Sequence, residues 1–575
     1  LGMIVVVTVV VSTFAALTLV PMLSSKLLKL KPTGTSSKKT NLGRKIDKGI
    51  ERVLLALDQK YKLILNKALG RKKWVVIGSF LLFIGSFFLI PLVGTEFMPE
   101  ADSGRIVITA ELPTGRNSAS AKSTIEKIEQ IFSEEVPELE IISSGIGTST
   151  AGAGFSSGST EPNVIDVNAT LLKLDQRDRS VFEIVEILRT RLQEIPEIVS
   201  YSVGTLGSMA GQGTPVVIDV TGNDLEVTND LALQIKDKLA QMDGVRNADI
   251  SLGNAQPALQ IDFDREKMAL LGINPGTVGQ NIRNKVAGIV ATEFKEEGEE
   301  FDIVIKYEKS YRESLEDLNR IQVPTPYGNF VQLGSFATIN EVMIPPTIER
   351  KDRERNIQVT AELFGAPLNV VFDQISSHID NEMEVPTNVE ISFGGDIEQQ
   401  QEAFGDLFLL LVLSIVLVYI VMAAQFESLK DPFIIMFSLP FAFTGVILAL
   451  VMTGTKLSVI AFIGAIILIG VVVKNAIVLV DYIQLLRARG EYLEGAIINA
   501  GASRLRPVLM TTLTTILAMF PLAFSTGEGS ETWQPMAIAV LGGLIFSTIV
   551  TLVLIPVVYA IFHRKKEKKL SLLEG

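Results

Sequence analysis

The 575-residue sequence contains no cysteine and only two histidines, His378 and His563. The missing cysteine excludes disulfide frameworks, thiolate metal sites and thiol nucleophiles. With so little histidine, imidazole-based metal binding and acid–base catalysis are nearly excluded as well. No Gly-rich phosphate loop, convergent His/Cys/Asp cluster or nucleophile motif is present. An enzyme or a non-transporting sensor is therefore disfavoured, and so is a nucleic-acid partner, because the large polar region is acidic. The chain opens at Leu1 inside an apolar run (LGMIVVVTVVVSTFAALTLVPML) with neither an initiator methionine nor a signal-peptide pattern. It reads as a fragment of a larger membrane protein.

Long apolar runs are what the sequence does have. Stretches able to span a hydrocarbon core of ~30 Å fall at 2–23, 74–93, 405–424, 431–453, 457–482, 507–524 and 535–562. Residues 26–73 hold 15 Lys/Arg against 3 Asp/Glu, whereas 96–402 hold 25 against 51. Basic residues on the inner side place 24–73, 425–430, 483–506 and 563–575 in the cytoplasm. Seven alternating spans then put 96–402, 454–456 and 525–534 outside, which makes a multi-pass membrane protein with 96–402 extracytoplasmic.

Lys474 stands alone deep in the run LSVIAFIGAIILIGVVVKNAIVLVDY. A cation at such depth costs about 2.5–3.5 kcal/mol on insertion scales and is usually retained to face a partner. No other span carries a carboxylate at comparable depth, so either Lys474 snorkels or its partner lies on a polypeptide beyond this sequence.

The inner connector begins with KPTGTSSKKT and then places Ile46, Ile50, Val53, Leu54, Leu57, Tyr61, Ile64, Leu65 and Ala68 at helical spacing. A basic amphipathic helix there points to contact with membrane lipids or to packing on cytoplasmic loops. The outer region alternates strands and helices: a strand at 105–113, a helix at 117–135, strands at 138–146 and 163–173, a helix at 180–194 and a strand at 198–207. A second series follows at 215–222, 226–241, 247–252 and 258–264, and resumes at 357–365, 368–382 and 389–395. This is the order of ferredoxin-like α+β modules. The Gly/Ser stretch 144–160 is a flexible loop, either a gate to a cleft or a hairpin tip.

In order, spacing and topology, several strings resemble the C-terminal half of a resistance–nodulation–division (RND) efflux permease: GTEFMPEADSGRI (94–106), LPTG (112–115), QFESLKDPFIIM (425–436), GVVVKNAIVLVDY (470–482), RLRPVLMTTLTTILAMFPLAFSTG (504–527) and LGG (541–543). The resemblance covers nearly the whole chain and implies a multi-pass protein of a bacterial cytoplasmic (inner) membrane, with 96–402 extracytoplasmic. It implies an α-helical transmembrane bundle, seven spans here, plus large extracytoplasmic α+β ferredoxin-like porter modules with an inserted docking domain. The implied divisions are the last span of the first half (1–25), a cytoplasmic linker (26–73), a span (74–96), a first porter subdomain (97–213), a second in two parts (214–264 and 346–398), a docking insert (265–345), a five-span bundle (399–563) and a cytoplasmic tail (564–575).

The resemblance also implies a mechanism. Lys474 pairs with aspartates of the missing N-terminal half, and their protonation drives conformational change; the proton is the coupling ion and no cofactor is expected. Asn475 and Thr511 join this relay, with Thr512 beside them, Asp481 nearer the cytoplasmic exit and Arg504 at the start of the next span. Loop 144–160 matches the family's switch loop, with Ile146, Thr148, Phe155, Val167 and Ala169 in place of the phenylalanines of better-known drug pumps. In the heavy-metal branch an acid occupies the Lys474 position and a lysine sits in the following span. Here 507–524 has no lysine, so metal export is disfavoured and an amphiphilic substrate is expected, as in Gram-positive members linked to lipopeptide resistance and swarming. A homotrimer, a membrane fusion (adaptor) protein and an outer channel are the implied partners. The alternative is a relative that assists protein translocation or lipid transport.

Overall fold

The structure is a computed structural model. It describes residues 2–27, 42–99, 101–113, 118–147, 163–205, 216–252, 256–296, 298–344, 348–363 and 367–571. Two compact units are present, Leu1–Ile64 and Leu65–Gly575.

The first unit holds α1 (Gly2–Leu27), whose apolar side chains are exposed, and the beginning of α2 (Leu42–Gly70). Helix α2 forms where the periodicity places it; of the expected apolar face, Tyr61, Leu65 and Ala68 are buried, whereas Leu57 and Ile64 are exposed. The expected span at 74–93 is divided. Helix α3 (Lys72–Phe87) ends before a turn, and α4 (Ile90–Val93) restarts with Pro91 in its first turn, because a proline ring cannot continue the preceding hydrogen-bond ladder. Six helices among the described residues are long and apolar enough to cross a membrane: Val6–Lys26, Gly395–Phe426, Lys430–Thr453, Val459–Ala488, Leu493–Ala523 and Ser530–His563.

The first outer module runs β1 (Arg105–Glu111), α5 (Ser118–Glu135), β2 (Leu139–Ile146), β3 (Val164–Leu171), α6 (Val181–Leu192) and β4 (Ser200–Thr205). Its antiparallel sheet has the order β2-β3-β1-β4, as a ferredoxin-like module requires. Alternation on β1 sends Ile106, Ile108 and Ala110 into one core with Ile128 and Phe132 of α5 and Ile184 and Leu188 of α6. Each of the isoleucine, leucine and phenylalanine side chains contributes about 1.5–3 kcal/mol on burial. Ser180 starts α6 by accepting a hydrogen bond from the Glu183 amide.

The second module begins with β5 (Val216–Gly222), α7 (Leu225–Ala240) and β6 (Val245–Ile250). The chain then departs through β7 (Gln256–Phe263), α8 (Arg265–Leu271), α9 (Pro275–Val286), β8 (Ile289–Glu296), β9 (Glu299–Ile305), α10 (Leu315–Asn319), β10 (Gln322–Pro324), β11 (Phe330–Gln332) and β12 (Ala337–Ile344). It returns as β13 (Glu349–Lys351), β14 (Glu354–Leu363), α11 (Leu368–Glu382) and β15 (Val389–Gly394). The path β6-β14-β5-β15 repeats the order of the first module, with β13 added beside β14. One boundary needs correction. The strand at 258–264 was assigned to the porter module, but β7 pairs along its whole length with β12, Phe263 opposite Ala337 and Gln256 opposite Ile344. It is the stalk of the insert, whose own core contains Met268, Val278, Val323, Leu333 and Phe336. Alternation marks a strand, but only long-range pairing says which sheet it joins.

The modules meet through charge. Arg246 of β6 pairs with Glu186 of α6 at 2.7 Å, and Arg189 of α6 with Glu362 of β14 at 3.3 Å. Beside these pairs lies a cleft of about 370 Å³ lined by Glu186, Arg189, Tyr201, Arg246 and Asn247.

Strand β15 feeds directly into the bundle: α12 (Gly395–Phe426), α13 (Lys430–Met436), α14 (Leu439–Thr453), α15 (Val459–Ala488), α16 (Leu493–Ala523) and α17 (Ser530–Ser571). Helices α14, α15 and α16 all pack on α17. A Cβ on Gly542 would lie 2.1 Å from that of Ala449, and one on Gly543 2.1 Å from Leu468 Cδ2. Small residues are required where these helix axes cross so closely.

Candidate functional site

Helix α15 presents two different faces. Leu468, Val472, Ala476 and Leu479 are buried against the bundle, while Ile467, Lys474, Asp481 and Leu485 are exposed. Positions 467, 474 and 481 are seven residues apart, so they form one stripe along the helix. Lys474 therefore points away from the packed bundle. Among the described residues, no carboxylate reaches it.

Asn475, the next residue, turns inward and is 7% exposed. Its side-chain amide donates to Thr512 Oγ1 at 3.2 Å, and its carbonyl oxygen accepts from Thr511 Oγ1 at 3.4 Å. Thr511 and Thr512 also donate to the Val508 carbonyl one turn back, each at 2.9 Å. Thr512 Oγ1 lies 3.5 Å from Thr548 Oγ1 of α17. The result is a short polar seam linking α15, α16 and α17 inside apolar packing, in which Asn475, Thr511 and Thr512 each have a hydrogen-bond partner. It holds Asn475 rigidly and thereby sets the direction in which Lys474 leaves the helix.

The five expected relay residues thus separate into three arrangements. Asn475 and Thr511 meet directly. Lys474 and Asp481 share the exposed stripe, about 10 Å apart along the axis at 1.5 Å per residue. Arg504 lies outside both: its guanidinium stacks 4.2 Å over the Tyr482 ring, a cation–π contact. The family resemblance favours Thr511 over Thr512 and does not single out Thr548. The buried partner of Asn475 is Thr512, and the spacing Ser547, Thr548, Thr551 within an apolar run was the available signal for a hydroxyl face on α17.

The expected pocket residues fare differently. Val167 and Ala169 are 0% and 2% exposed within the first module's core, and Ile146 packs against that same core. These three do not line a cleft. Their partners on the opposite face of β3 are Asp166, Asn168 and Thr170, since alternate residues point to opposite sides. Thr148 and Phe155 lie outside the described residues, as does most of loop 144–160. Among the described residues, no group of three or more His, Asp or Glu is placed to hold a metal ion.

These features, a glycine-packed helical bundle with one exposed lysine-bearing stripe on α15 and two outer ferredoxin-like modules, define a multi-pass membrane protein of the RND permease fold. The model of the AcrB/AcrD/AcrF family matches residues 1–563, and the chain belongs to that family. It is 28% identical over 542 residues to the cobalt-zinc-cadmium resistance protein CzcA of Cupriavidus metallidurans, covering 92% of this chain and 50% of the relative. It is 29% identical over 569 residues to the swarming motility protein SwrC of Bacillus subtilis, covering 96% and 51%. A solved structure described as a heavy metal efflux pump superposes with a TM-score of 0.75 at 27% identity, over 89% of this chain and 52% of that one. The chain spans about half the length of the curated relatives it matches.

Proposed function

We propose that this chain serves as the lysine-bearing half of a proton-driven RND exporter that moves hydrophobic or amphiphilic compounds outward. The observation that carries the reading is Lys474 on an exposed apolar stripe, backed by the Asn475–Thr511–Thr512 seam. In a low-dielectric setting, carboxylates supplied by a preceding homologous half attract the ammonium group and favour one packing of the helices. Protonating them removes the attraction and permits another packing. The outer modules, hinged on the Glu186–Arg246 and Arg189–Glu362 pairs, carry the cargo through the corresponding change. A homotrimer working with an adaptor protein and an outer channel completes the arrangement.

Lys474→Ala in the full-length protein tests this. The expected outcome is proton-dependent efflux reduced to background with membrane insertion intact; undiminished efflux removes Lys474 from the mechanism.

Metal efflux is the second reading, favoured by the names of CzcA and of the superposed pump. The lack of lysine in 507–524 supports the amphiphile reading over it. Deleting the gene is expected to sensitise cells to lipopeptides or detergents while leaving cobalt, zinc and cadmium tolerance unchanged. The opposite pattern selects the metal reading. Assistance to protein translocation or lipid transport is less well supported, given the large insert between β6 and β13.

A further inference from the structure

Asp431 opens α13 and is only 5% exposed. Its Oδ1 is shielded from solvent and accepts no hydrogen bond from the described residues. A second titratable group lies within ion-pair range: His563 of α17, whose Nε2 is 3.5 Å from that oxygen. The other ring nitrogen of His563, Nδ1, is 3.2 Å from the Tyr559 carbonyl oxygen one turn back. A carbonyl can only accept, so Nδ1 carries a hydrogen; this tautomer is assigned from its partner. Nε2 is then the atom left to face Asp431. Were neither group to hold a further proton, a nitrogen lone pair would oppose a carboxylate oxygen that is itself shielded from solvent, which is costly. One proton resolves the conflict, either on Nε2 as imidazolium or on Oδ1 as the neutral acid.

We propose that His563 and Asp431 form a proton-binding pair that clasps α13 to α17, separate from the Lys474 seam. The surroundings are built for it. The Tyr559 ring stacks on the imidazole at 4.1 Å, and Phe433 of α13 meets Phe562 edge-on at 6.0 Å. Charged groups nearby among the described residues include Arg487 of α15, whose Nη1 lies 3.5 Å from Tyr559 Oη, and Lys430, which is exposed beside Asp431. On α15, Arg487 is about 20 Å along the axis from Lys474 at 1.5 Å per residue, so the pair is not an extension of the first site. The pair binds its proton whatever the protein carries, and in that respect the inference goes beyond the exporter reading.

The test uses full-length protein in lipid nanodiscs with ¹⁵N-labelled histidine, the His563 signals being identified by their loss in His563→Gln. The wild-type ring is expected to be protonated on both nitrogens over a pH range in which Asp431→Asn shows the neutral ring with hydrogen on Nδ1. Removing the carboxylate should weaken proton binding about tenfold or more. Equal midpoints in the two proteins overturn the proposal. If Asp431→Asn does not fold, the wild-type spectrum alone decides, because a neutral ring with its hydrogen on Nε2 is incompatible with the pair. Lys474→Ala should leave the His563 titration unchanged while abolishing efflux. A displaced midpoint in that variant refutes the separateness of the two sites, and unaffected efflux with an intact titration refutes only the exporter coupling.

Discussion

The two outer modules share one strand order, yet each shelters an aspartate in a different way. In the first, Asp102 pairs with Arg177, whose side chain is fully buried, and also accepts from the amides of Gly104 and Val181. Arg177 is satisfied in turn by the carbonyls of Leu172 and Arg179. In the second, Asp219 of β5 accepts from Asn356 at 2.8 Å, Gln358 at 2.9 Å and Lys351 at 2.7 Å, and the lysine side chain is 45% exposed. The continuous module buries an ion pair between the segment before β1 and the connection from β3 to α6. The interrupted module holds its acid with neutral amides from the strand that returns after the insert. The comparison shows that similar topology does not impose similar electrostatics. What differs is how much of the cation stays in water.

Three perturbations sharpen this contrast, and the largest effect is expected in the first module. Asp102→Ala leaves Arg177 buried and uncompensated, which should destabilise that module by about 3–5 kcal/mol. Hydrogen exchange at β1 and β3 of the full-length protein measures it, and a loss below that at Lys351 would erase the distinction. The second concerns acid. Burial pushes the Asp219 carboxyl up, but the hydrogen bonds from Asn356, Lys351 and Gln358 together outweigh it and hold the group below the usual carboxylate range. A depressed folded value means the stabilisation is complete above the unfolded value of about 3.9 and is lost as pH falls through the folded one. Exchange protection of β5 should therefore decline on acidification below about pH 4, and Asp219→Asn should flatten that dependence. Smallest is Lys351→Met, expected to cost at most about 1 kcal/mol, because the ammonium is half in solvent and the two amides remain.

Much of this architecture was legible in the sequence. The outer strands and helices fall where alternation and 3.6-residue periodicity place them, and Lys474 announces itself by its apolar surroundings. The errors cluster where distant residues meet. The strand around 258–264 has the same local pattern whether it joins the porter sheet or pairs with β12. The family resemblance points to Val167 and Ala169 as pocket residues, but the parity of β3 sends them into the core with Ile165. The 74–93 run looked continuous because its hydropathy is uniform, while Pro91 interrupts the helix.

Local chemistry along the chain was enough to determine membrane-spanning character, the charge asymmetry between the two sides and the lone intramembrane cation, since each depends on a few neighbouring residues. Only the tertiary structure decided that Asn475 is held by Thr511 and Thr512, that Arg504 belongs to Tyr482, and that Asp431 meets His563 across the bundle. Those pairings depend on which helix faces cross and how closely. At α14 and α17 that closeness is set by glycines without a Cβ, a packing property no single stretch of sequence contains.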